Sequence, residues 1–499
     1  MTLDQANAHL SALQRRLTAL QHATALLTFD GYTAASKGAA AGRAQTVSVL
    51  SEEIYSLTTD PHTAEALHTL NDHPRTDPVT RRQAQLLLRT LRQMERIPRE
   101  EYTAFRRLMV EADAVWHEAK EKDDFPLFRP VLEQVFAAHR RIAALCAPDA
   151  DPYDYWLDYN EEGLDQARCD RFFSAVRGKI VPLLAQVMER APLPDAMLHG
   201  EFPIPVQDAL SHRLMRIIGL DPAHVGLATT EHPFTITLGS QQDVRITTHY
   251  HRDDFSKSMF SVIHEGGHAL YSTNVDPAYM GTVLDKGVSM GIHESQSRFF
   301  ENILARSEGF CQGLFPLLQE LFPDQMAGYD AHDLYLAVNR VQPSLIRTQA
   351  DELTYCLHIM VRYRLEQQLF SGELAVGDLP EAWNALYREY LGIDVPDDRR
   401  GVLQDCHWAD GYIGYFPSYA LGSAYGAQYL HKMEETVDVQ DALRRGDLSP
   451  ICDWLRQRIW RHGSLYSPTQ VFESAVGEPF DPKYYTDYLE RKFTGLYRL

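Results

Sequence analysis

Hydrophobic spacing typical of α-helices runs through most of this 499-residue chain and constrains its fold more than any other feature. Near the start, four leucines recur three or four residues apart and share one helix face: Leu10, Leu13, Leu17 and Leu20. The same periodicity predicts four further helices: residues 79–95, 100–121, 128–147 and 165–192. Proline and glycine lie mainly between these segments. We therefore expect a mainly α fold.

One stretch, residues 232–250, differs because it is rich in Thr, Ile and Val. Phe234–Leu238 and Val244–Thr248 alternate like strands, and Gly239-Ser240 lies between them as a turn. This pattern predicts a small antiparallel hairpin. The Ala- and Gly-rich residues 34–43 predict a mobile loop. Since no interdomain linker is evident, we expect one large helical body with a small β insert.

Charge and cysteine content restrict the partners and the compartment. The chain has 48 Lys and Arg against 68 Asp and Glu, a net charge of −20, which repels nucleic acid and anionic membranes. The six cysteines form no CxxC pair, so we expect reduced thiols. The N-terminus is amphipathic rather than signal-like, and no apolar run approaches the roughly 18 residues of a membrane span. We therefore expect a cytoplasmic protein.

A HExxH motif lies in the predicted helix over residues 255–272. His264 and His268 are four residues apart, so both imidazoles project from one face of this helix, about one turn apart. Such a pair suits one zinc ion, and Glu265 can reach a water on the metal without binding the metal itself. The motif therefore predicts metal-assisted hydrolysis with Glu265 as general base.

Gly266 and Gly267 stand between the two histidines. Each glycine inside a helix costs about 1 kcal/mol relative to alanine. An ordinary structural helix would not contain both. We therefore expect another backbone to approach this helix closely.

A third metal ligand is expected from the predicted helix over residues 291–302. Glu294 lies 26 residues after His268 (294 − 268), and a glutamate would complete a two-histidine, one-glutamate set with a fourth position for water. His293 and Glu301 compete for this role. Adjacent residues cannot both face the metal from one helix, and a carboxylate suits the set better, which favours Glu294 over His293.

A glycine-rich stretch from residue 401 to 419 contains four residues able to donate hydrogen bonds: His407, Tyr412, Tyr415 and Tyr419. Neutral phenols and an imidazole can stabilise the oxyanion of a tetrahedral intermediate. The alternative is ordinary aromatic packing on a loop. The residues alone do not decide between these interpretations.

Two arginines are candidates for binding a substrate carboxylate. Arg245 lies in the predicted second strand, close to Asp243, and Arg347 lies close to Asp351. Either arginine could instead be a structural ion-pair partner of the neighbouring aspartate, and spacing alone favours that interpretation.

Six ordered motifs resemble those of the carboxypeptidase Taq family of metallocarboxypeptidases. They are His232-Pro-Phe234, a DxRxT run at Asp243–Thr247, HEGGH at 264–268, His293-Glu-Ser-Gln296, an IRxxAD run at Ile346–Asp351 and GxxQDxHW at Gly401–Trp408. The resemblance implies removal of single C-terminal residues from peptides with broad specificity. It also implies zinc, which cobalt can replace, an almost wholly helical fold with a deep groove, and a homodimer.

The same motif matches imply roles for individual residues. Glu294 becomes the third metal ligand. Four residues are expected to bind substrate: Arg347, Arg245, His232 and Tyr412. Transition-state donors are expected in His407 and in Tyr415 or Tyr419, between which the sequence does not choose.

The domain organisation that follows is one metallocarboxypeptidase domain over residues 1–499. Within it we expect an N-terminal helical lid over 1–125, the hairpin over 232–250 and catalytic helices over 255–425. Residues 29–39 depart from the Met-Pro-Pro-Gly-like stretch of many family members, so we expect the lid to differ. The alternatives are a helical oligopeptidase or peptidyl-dipeptidase with the same metal site, and a scaffold protein with an inactive motif.

Overall fold

The computed structural model describes all residues, 1–499, and its regular structure is almost entirely helical. The twenty α-helices are α1 Leu3–Thr33, α2 Ala40–Thr58, α3 Pro61–Asp72, α4 Pro78–Arg96, α5 Arg99–Lys122, α6 Phe125–Cys146, α7 Pro152–Asn160, α8 Gln166–Met188, α9 Ile204–Ile217, α10 Phe255–Thr273, α11 Met290–Arg298, α12 Glu308–Leu321, α13 Ala331–Val338, α14 Tyr355–Ser371, α15 Leu379–Leu391, α16 Phe416–Met433, α17 Val439–Arg444, α18 Ser449–Arg458, α19 Pro468–Val476 and α20 Lys483–Tyr497. The three strands are β1 Val225–Thr229, β2 Thr235–Thr237 and β3 Val244–Thr248. The mainly α prediction is confirmed.

The two helices that carry the predicted metal ligands begin at side-chain caps. The Asp254 carboxylate accepts a hydrogen bond from the Ser256 amide at the start of α10, and the Ser289 hydroxyl accepts one from the Ile292 amide in α11. Helix α11 is shorter than the predicted 291–302 segment because the chain continues as a π-helix over Phe299–Leu304. This wider turn changes which side chains face α10.

The loop predicted over residues 34–43 is wrong for most of its length. Lys37–Ala39 form a 3-10 turn, and α2 begins at Ala40. Alanine is the strongest helix former, and the three consecutive alanines at 39–41 outweigh the glycines on either side of them.

The predicted hairpin is confirmed, and a third strand accompanies it. Strand β2 pairs antiparallel with β3, while β1 pairs parallel with β3 on its other side. The insert is therefore a mixed sheet of order β1-β3-β2 rather than a purely antiparallel hairpin. The short Val225–Thr229 segment lacks the alternation that marks an amphipathic strand, so it was not predicted.

The two faces of the sheet have different environments. Val244 and Ile246 are fully buried on the face that packs against α10. Ile246 pairs with Thr235, so Thr235 shares this face. Arg245 alternates to the opposite face, where its guanidinium lies 5.0 Å from the centre of the Phe29 ring in α1. The sheet thus lies between α10 and the N-terminal helix.

Most buried side chains form one continuous core around α10, α11, α14 and α16. A separate small core joins α1, α3 and α4, and it contains Leu10, Leu13 and Leu17, whereas Leu20 is only partly buried.

All six cysteines are unpaired, as expected. None of the helices combines the length and apolar character needed to cross a membrane. The N-terminal lid and the deep groove stay predictions.

Candidate active site

Helices α10 and α11 bring three predicted metal ligands together. The carboxylate Oε2 of Glu294 lies 3.8 Å from Nε2 of His264 and 3.4 Å from Nε2 of His268. All three ligand atoms lie within 4.8 Å of one another. The i, i+4 spacing of the histidines explains their common orientation, whereas the position of Glu294 depends on how α11 packs against α10.

The close packing of these two helices depends on Gly267. A Cβ atom at this position would lie 2.7 Å from the carbonyl oxygen of Gln296 and 2.7 Å from Cα of Ser297, both in the α11 backbone. This confirms the expected backbone approach. The partner of Gly266 is different, since its Cβ would contact the side chains of Ile218 and Leu220.

A third helix, α16, packs against α11 at Glu294. Gly422 in α16 faces Glu294, and a Cβ there would lie 2.7 Å from Cγ and 2.8 Å from Cβ of the glutamate. Two glycines on different helices therefore confine α11 and fix the position of Glu294.

His293 and Glu301, the rival ligands, contact the other nitrogens of the histidines. Glu301 Oε2 accepts a hydrogen bond from His264 Nδ1 at 2.8 Å, while Nδ1 of His293 lies 2.8 Å from Nδ1 of His268. Each contact orients its imidazole so that Nε2 faces Glu294. The π-helical turn after α11 brings Glu301 to His264.

Charges within the buried site shift several pKa values. Burial disfavours the charged form of His264, but the carboxylates of Glu294 and Glu301 outweigh burial and raise its pKa to about 9. Burial also opposes ionisation of both glutamates, but the charges of Arg298 and His264 and a hydrogen bond from a histidine together outweigh burial, so the pKa of Glu301 falls to about 2 and that of Glu294 falls well below its usual range. Burial, followed by the charge of His268, lowers the pKa of His293 to about 3. His293 is thus a neutral partner for His268.

The three ligand atoms fit a divalent metal ion. In a tetrahedral set with bonds of about 2 Å, the ligand atoms lie about 3.3 Å apart, close to the separations between Glu294 and the two histidines. Two imidazole nitrogens and one carboxylate oxygen form a ligand set found in catalytic zinc sites. His264, His268 and Glu294 could therefore hold such an ion.

Glu265 lies beside this cluster and contacts the sheet. Its Oε2 accepts a hydrogen bond of 2.6 Å from the hydroxyl of Thr235 in β2. The sequence reasoning did not identify Thr235, although it directly follows the His232-Pro-Phe234 motif.

The predicted donor residues form a second cluster. Nε2 of His407 lies 3.2 Å from the Tyr419 hydroxyl, and the Tyr415 ring centre is 5.3 Å from that of Tyr419. Burial lowers the pKa of His407 to about 4 and raises the pKa values of both tyrosines above their usual range. All three groups are therefore neutral near pH 7.

Contacts through two arginines connect the donor cluster with Glu294. Arg298 donates from Nε to Glu294 Oε1 at 2.7 Å, and its guanidinium lies 4.0 Å from the Tyr355 ring centre. The Tyr355 hydroxyl accepts a hydrogen bond of 3.4 Å from Arg347, whose guanidinium lies 5.1 Å from the Tyr419 ring centre. The predicted groups thus belong to one continuous site.

Arg347 has a different ion-pair partner from the one predicted. Its Nε and Nη2 atoms each lie 3.0 Å from Asp405 Oδ1, and Arg362 contacts Oδ2 of the same carboxylate at 2.6 Å. Asp351, the aspartate suggested by spacing, instead accepts from the backbone amides of Gln342 and Thr354. Asp351 is therefore wrong as the partner, because chain folding brings a distant motif closer than the local one.

Of the three other predicted substrate residues, only Tyr412 contacts this continuous site, at its edge. Arg245 forms a bidentate pair with Asp243, with distances of 3.0 and 2.9 Å. Tyr412 is 53% exposed, and its ring centre is 5.6 Å from that of Tyr415, which places it at the edge of the donor cluster. His232 is exposed. Their roles in substrate binding stay predictions.

Two further residues of the site, Arg298 and Asp405, are marked by local sequence patterns. Arg298 follows Glu294 by four residues, which predicts a contact on one helix face. Asp405 lies inside the GxxQDxHW motif, next but one to His407. Tyr355 and Thr235 carried no comparable signal, since only long-range packing brings them to the site.

A helical protein with a HExxH helix and a glutamate from a following helix has the architecture of a metallopeptidase. The comparisons with known proteins agree. The family model described as Carboxypeptidase Taq (M32) metallopeptidase matches residues 9–493. Carboxypeptidase 1 of Bacillus subtilis is 39% identical over 98% of both chains, and thermostable carboxypeptidase 1 of Thermus thermophilus is 37% identical over 100% of both.

A solved structure is also similar to nearly the whole of this chain. The crystal structure of an M32 carboxypeptidase from Deinococcus radiodurans superposes with a TM-score of 0.97, at 34% identity, over 99% of this chain and 100% of that one. The chain belongs to the carboxypeptidase Taq (M32) metallopeptidase family. It is a metallocarboxypeptidase, as the sequence motifs predicted.

Proposed function

We propose that this enzyme removes single residues from peptide C-termini with broad specificity, with His264, His268 and Glu294 as metal ligands and Glu265 as general base. The observation that carries the proposal is the convergence of the three ligand atoms beside Glu265. When bound there, zinc or cobalt would supply Lewis-acid chemistry, polarising the scissile carbonyl and lowering the pKa of water.

Glu265 performs the proton transfers of the proposed reaction. Its carboxylate takes a proton from the attacking water and delivers it to the leaving amine. Oε2 is engaged by Thr235, while no protein group donates a hydrogen bond to Oε1. Oε1 is therefore the oxygen available to receive and return the proton.

His407 and a tyrosine stabilise the oxyanion. The neutral imidazole has one N–H, and both phenols keep their protons at pH 7 because burial raises their pKa values. Tyr419 already bonds to His407, whereas the hydroxyl of Tyr415 has no such bond to the imidazole. We therefore propose that Tyr415 is the tyrosine that donates to the oxyanion. His407 lies beside Tyr415 and is hydrogen-bonded to Tyr419.

The charge balance around Arg347 suits a C-terminal carboxylate. Arg347 and Arg362 share the single carboxylate of Asp405, which leaves one positive charge in this buried cluster. Arg245 and Asp243, in contrast, balance each other. We propose Arg347 as the main anchor of the substrate carboxylate. Arg245, His232 and Tyr412 are secondary contacts in this scheme.

Two further features complete the proposal. Six unpaired cysteines are compatible with a reducing compartment, and we propose a cytoplasmic location. The homodimer is proposed from the family resemblance alone. Peptides are the proposed partners.

Timed digestion of a mixed-sequence peptide, followed by mass spectrometry, tests the reaction. Products that shorten by one residue at a time support the proposal, whereas steps of two residues would favour a peptidyl-dipeptidase and internal cuts an oligopeptidase. Metal analysis of the same sample identifies the ion.

The Glu265→Gln variant tests the general base. We expect a loss of activity of about 1,000-fold or more with unchanged metal content, since the amide cannot accept the proton. A variant that binds metal and keeps substantial turnover would contradict the assignment.

A further inference from the structure

Thr235 is the one side chain outside α10 that holds the carboxylate of Glu265. Its hydroxyl lies 2.6 Å from Oε2 and 3.0 Å from the backbone carbonyl oxygen of the same glutamate. A separation of 2.6 Å is typical of a hydroxyl that donates to a carboxylate. The carbonyl already has a partner available within its helix. The single hydroxyl proton is therefore used best by the carboxylate.

The backbone around Thr235 is fixed by two of the sequence motifs. The amide of Phe234 donates to the hydroxyl of Thr247 at 2.8 Å, and the amide of Thr247 donates to the carbonyl of Phe234 at 2.9 Å. The next residue pair, Thr235 and Ile246, is in register within the sheet. Thr247 thus anchors the start of β2, and the hydroxyl of Thr235 reaches Glu265 from a rigid support.

The same strand is fixed from the side of the N-terminal helix. The Phe234 ring lies 6.2 Å from Phe29 and 5.5 Å from Tyr32, measured between ring centres. Ile246, opposite Thr235, is fully buried. Strand β2 is therefore held on both faces although it lies at the edge of the sheet and is only three residues long.

We propose that Thr235 is a positioning residue for the general base. A glutamate side chain has three rotatable bonds, and a hydrogen bond to Oε2 restricts it to the conformation in which Oε1 stays available for the proton transfer. The Thr235 hydroxyl forms hydrogen bonds to Glu265 alone, and none to the three metal ligands or to the predicted substrate contacts. This inference rests on the proposed role of Glu265.

The test compares two substitutions at position 235 with a matched substitution on the same strand. Thr235→Val keeps the shape of the side chain and removes the hydroxyl, whereas Thr235→Ser keeps the hydroxyl. Thr237→Val makes the same change two residues further along β2, where the threonine hydroxyl forms no side-chain hydrogen bond. Steady-state kinetics on a peptide, metal content and the thermal midpoint are measured for each protein.

We expect Thr235→Val to lower kcat about 10- to 100-fold, because a poorly oriented catalytic group costs rate rather than binding. KM, metal content and the thermal midpoint should stay close to those of the wild type. Thr235→Ser should recover kcat to within about threefold, and Thr237→Val should match the wild type.

A wild-type kcat for Thr235→Val would overturn the proposal, as would equal losses for the valine and serine variants. If the valine protein does not fold, Thr235→Ala and Thr235→Ser are compared, since only the serine can donate to Oε2. Equal kcat values for these two would also overturn it. Glu265→Gln, run in parallel, separates the two hypotheses: an active glutamine variant refutes the general base itself, whereas an inactive one together with a fully active Thr235→Val refutes only the positioning role.

Discussion

Replacement of Gly267 by alanine would test whether close backbone packing determines the proposed metal site. The added Cβ would lie 2.7 Å from the Gln296 carbonyl oxygen and from Cα of Ser297, where ordinary contact begins at 3.4 Å. Neither backbone atom can rotate away. Helices α10 and α11 would therefore have to separate by about 0.7 Å at this point.

Two opposing terms determine the effect of this change on stability. Alanine favours the helix by about 1 kcal/mol over glycine, whereas overpacking in a dense core costs about 1–3 kcal/mol. The net result is a destabilisation of up to about 2 kcal/mol. The effect on metal binding is larger, because Glu294 lies two residues before Gln296 and ligand distances tolerate only about 0.2 Å. We expect metal affinity to fall about 10- to 100-fold.

Chelator competition would measure the affinity, and kcat/KM and the thermal midpoint would be recorded on the same preparations. Gly266→Ala is the matched control in the same helix. Its Cβ would meet the flexible end of Ile218, which can move, so we expect nearly wild-type metal affinity. Wild-type affinity in Gly267→Ala, or equal losses in the two variants, would refute the packing argument.

Two further predictions follow from buried carboxylates. Glu301→Gln should weaken metal binding about 10- to 100-fold, since it removes the negative charge 2.8 Å from His264 Nδ1; unchanged affinity by chelator competition would contradict this. For Glu366, burial raises the pKa from 4.5 to about 7, so the folded state keeps a proton that the unfolded state releases, and stability falls by up to about 3 kcal/mol as pH rises through this window. Glu366→Gln cannot ionise and should flatten the decline of the thermal midpoint between about pH 4.5 and 7; parallel curves for variant and wild type would count against it.

Local spacing predicted much of the fold and part of the site. The helices around the metal motif begin at the predicted positions because hydrophobic periodicity and capping residues act over a few residues. The common face of His264 and His268 follows from the same short-range geometry. The hairpin was also predictable, since alternation and a Gly-Ser turn are local signals.

Long-range packing decided the remaining features of the site. Adjacent positions made Glu294 and His293 competitors, and only the packing of α11 against α10 and α16 turned Glu294 toward both Nε2 atoms. The partner of Arg347 is Asp405, 58 residues away, rather than the nearby Asp351.

The sequence by itself therefore determined the helical fold class, the paired histidines and the family, whose motifs are contiguous runs of residues. The tertiary structure decided which oxygen faces the histidines, which aspartate neutralises Arg347, and that Thr235 holds Glu265. The physical reason is range: helix periodicity and capping depend on neighbours within about four residues, whereas these contacts join residues 26 or more positions apart (294 − 268 = 26 for the nearest) and exist only after the helices have packed.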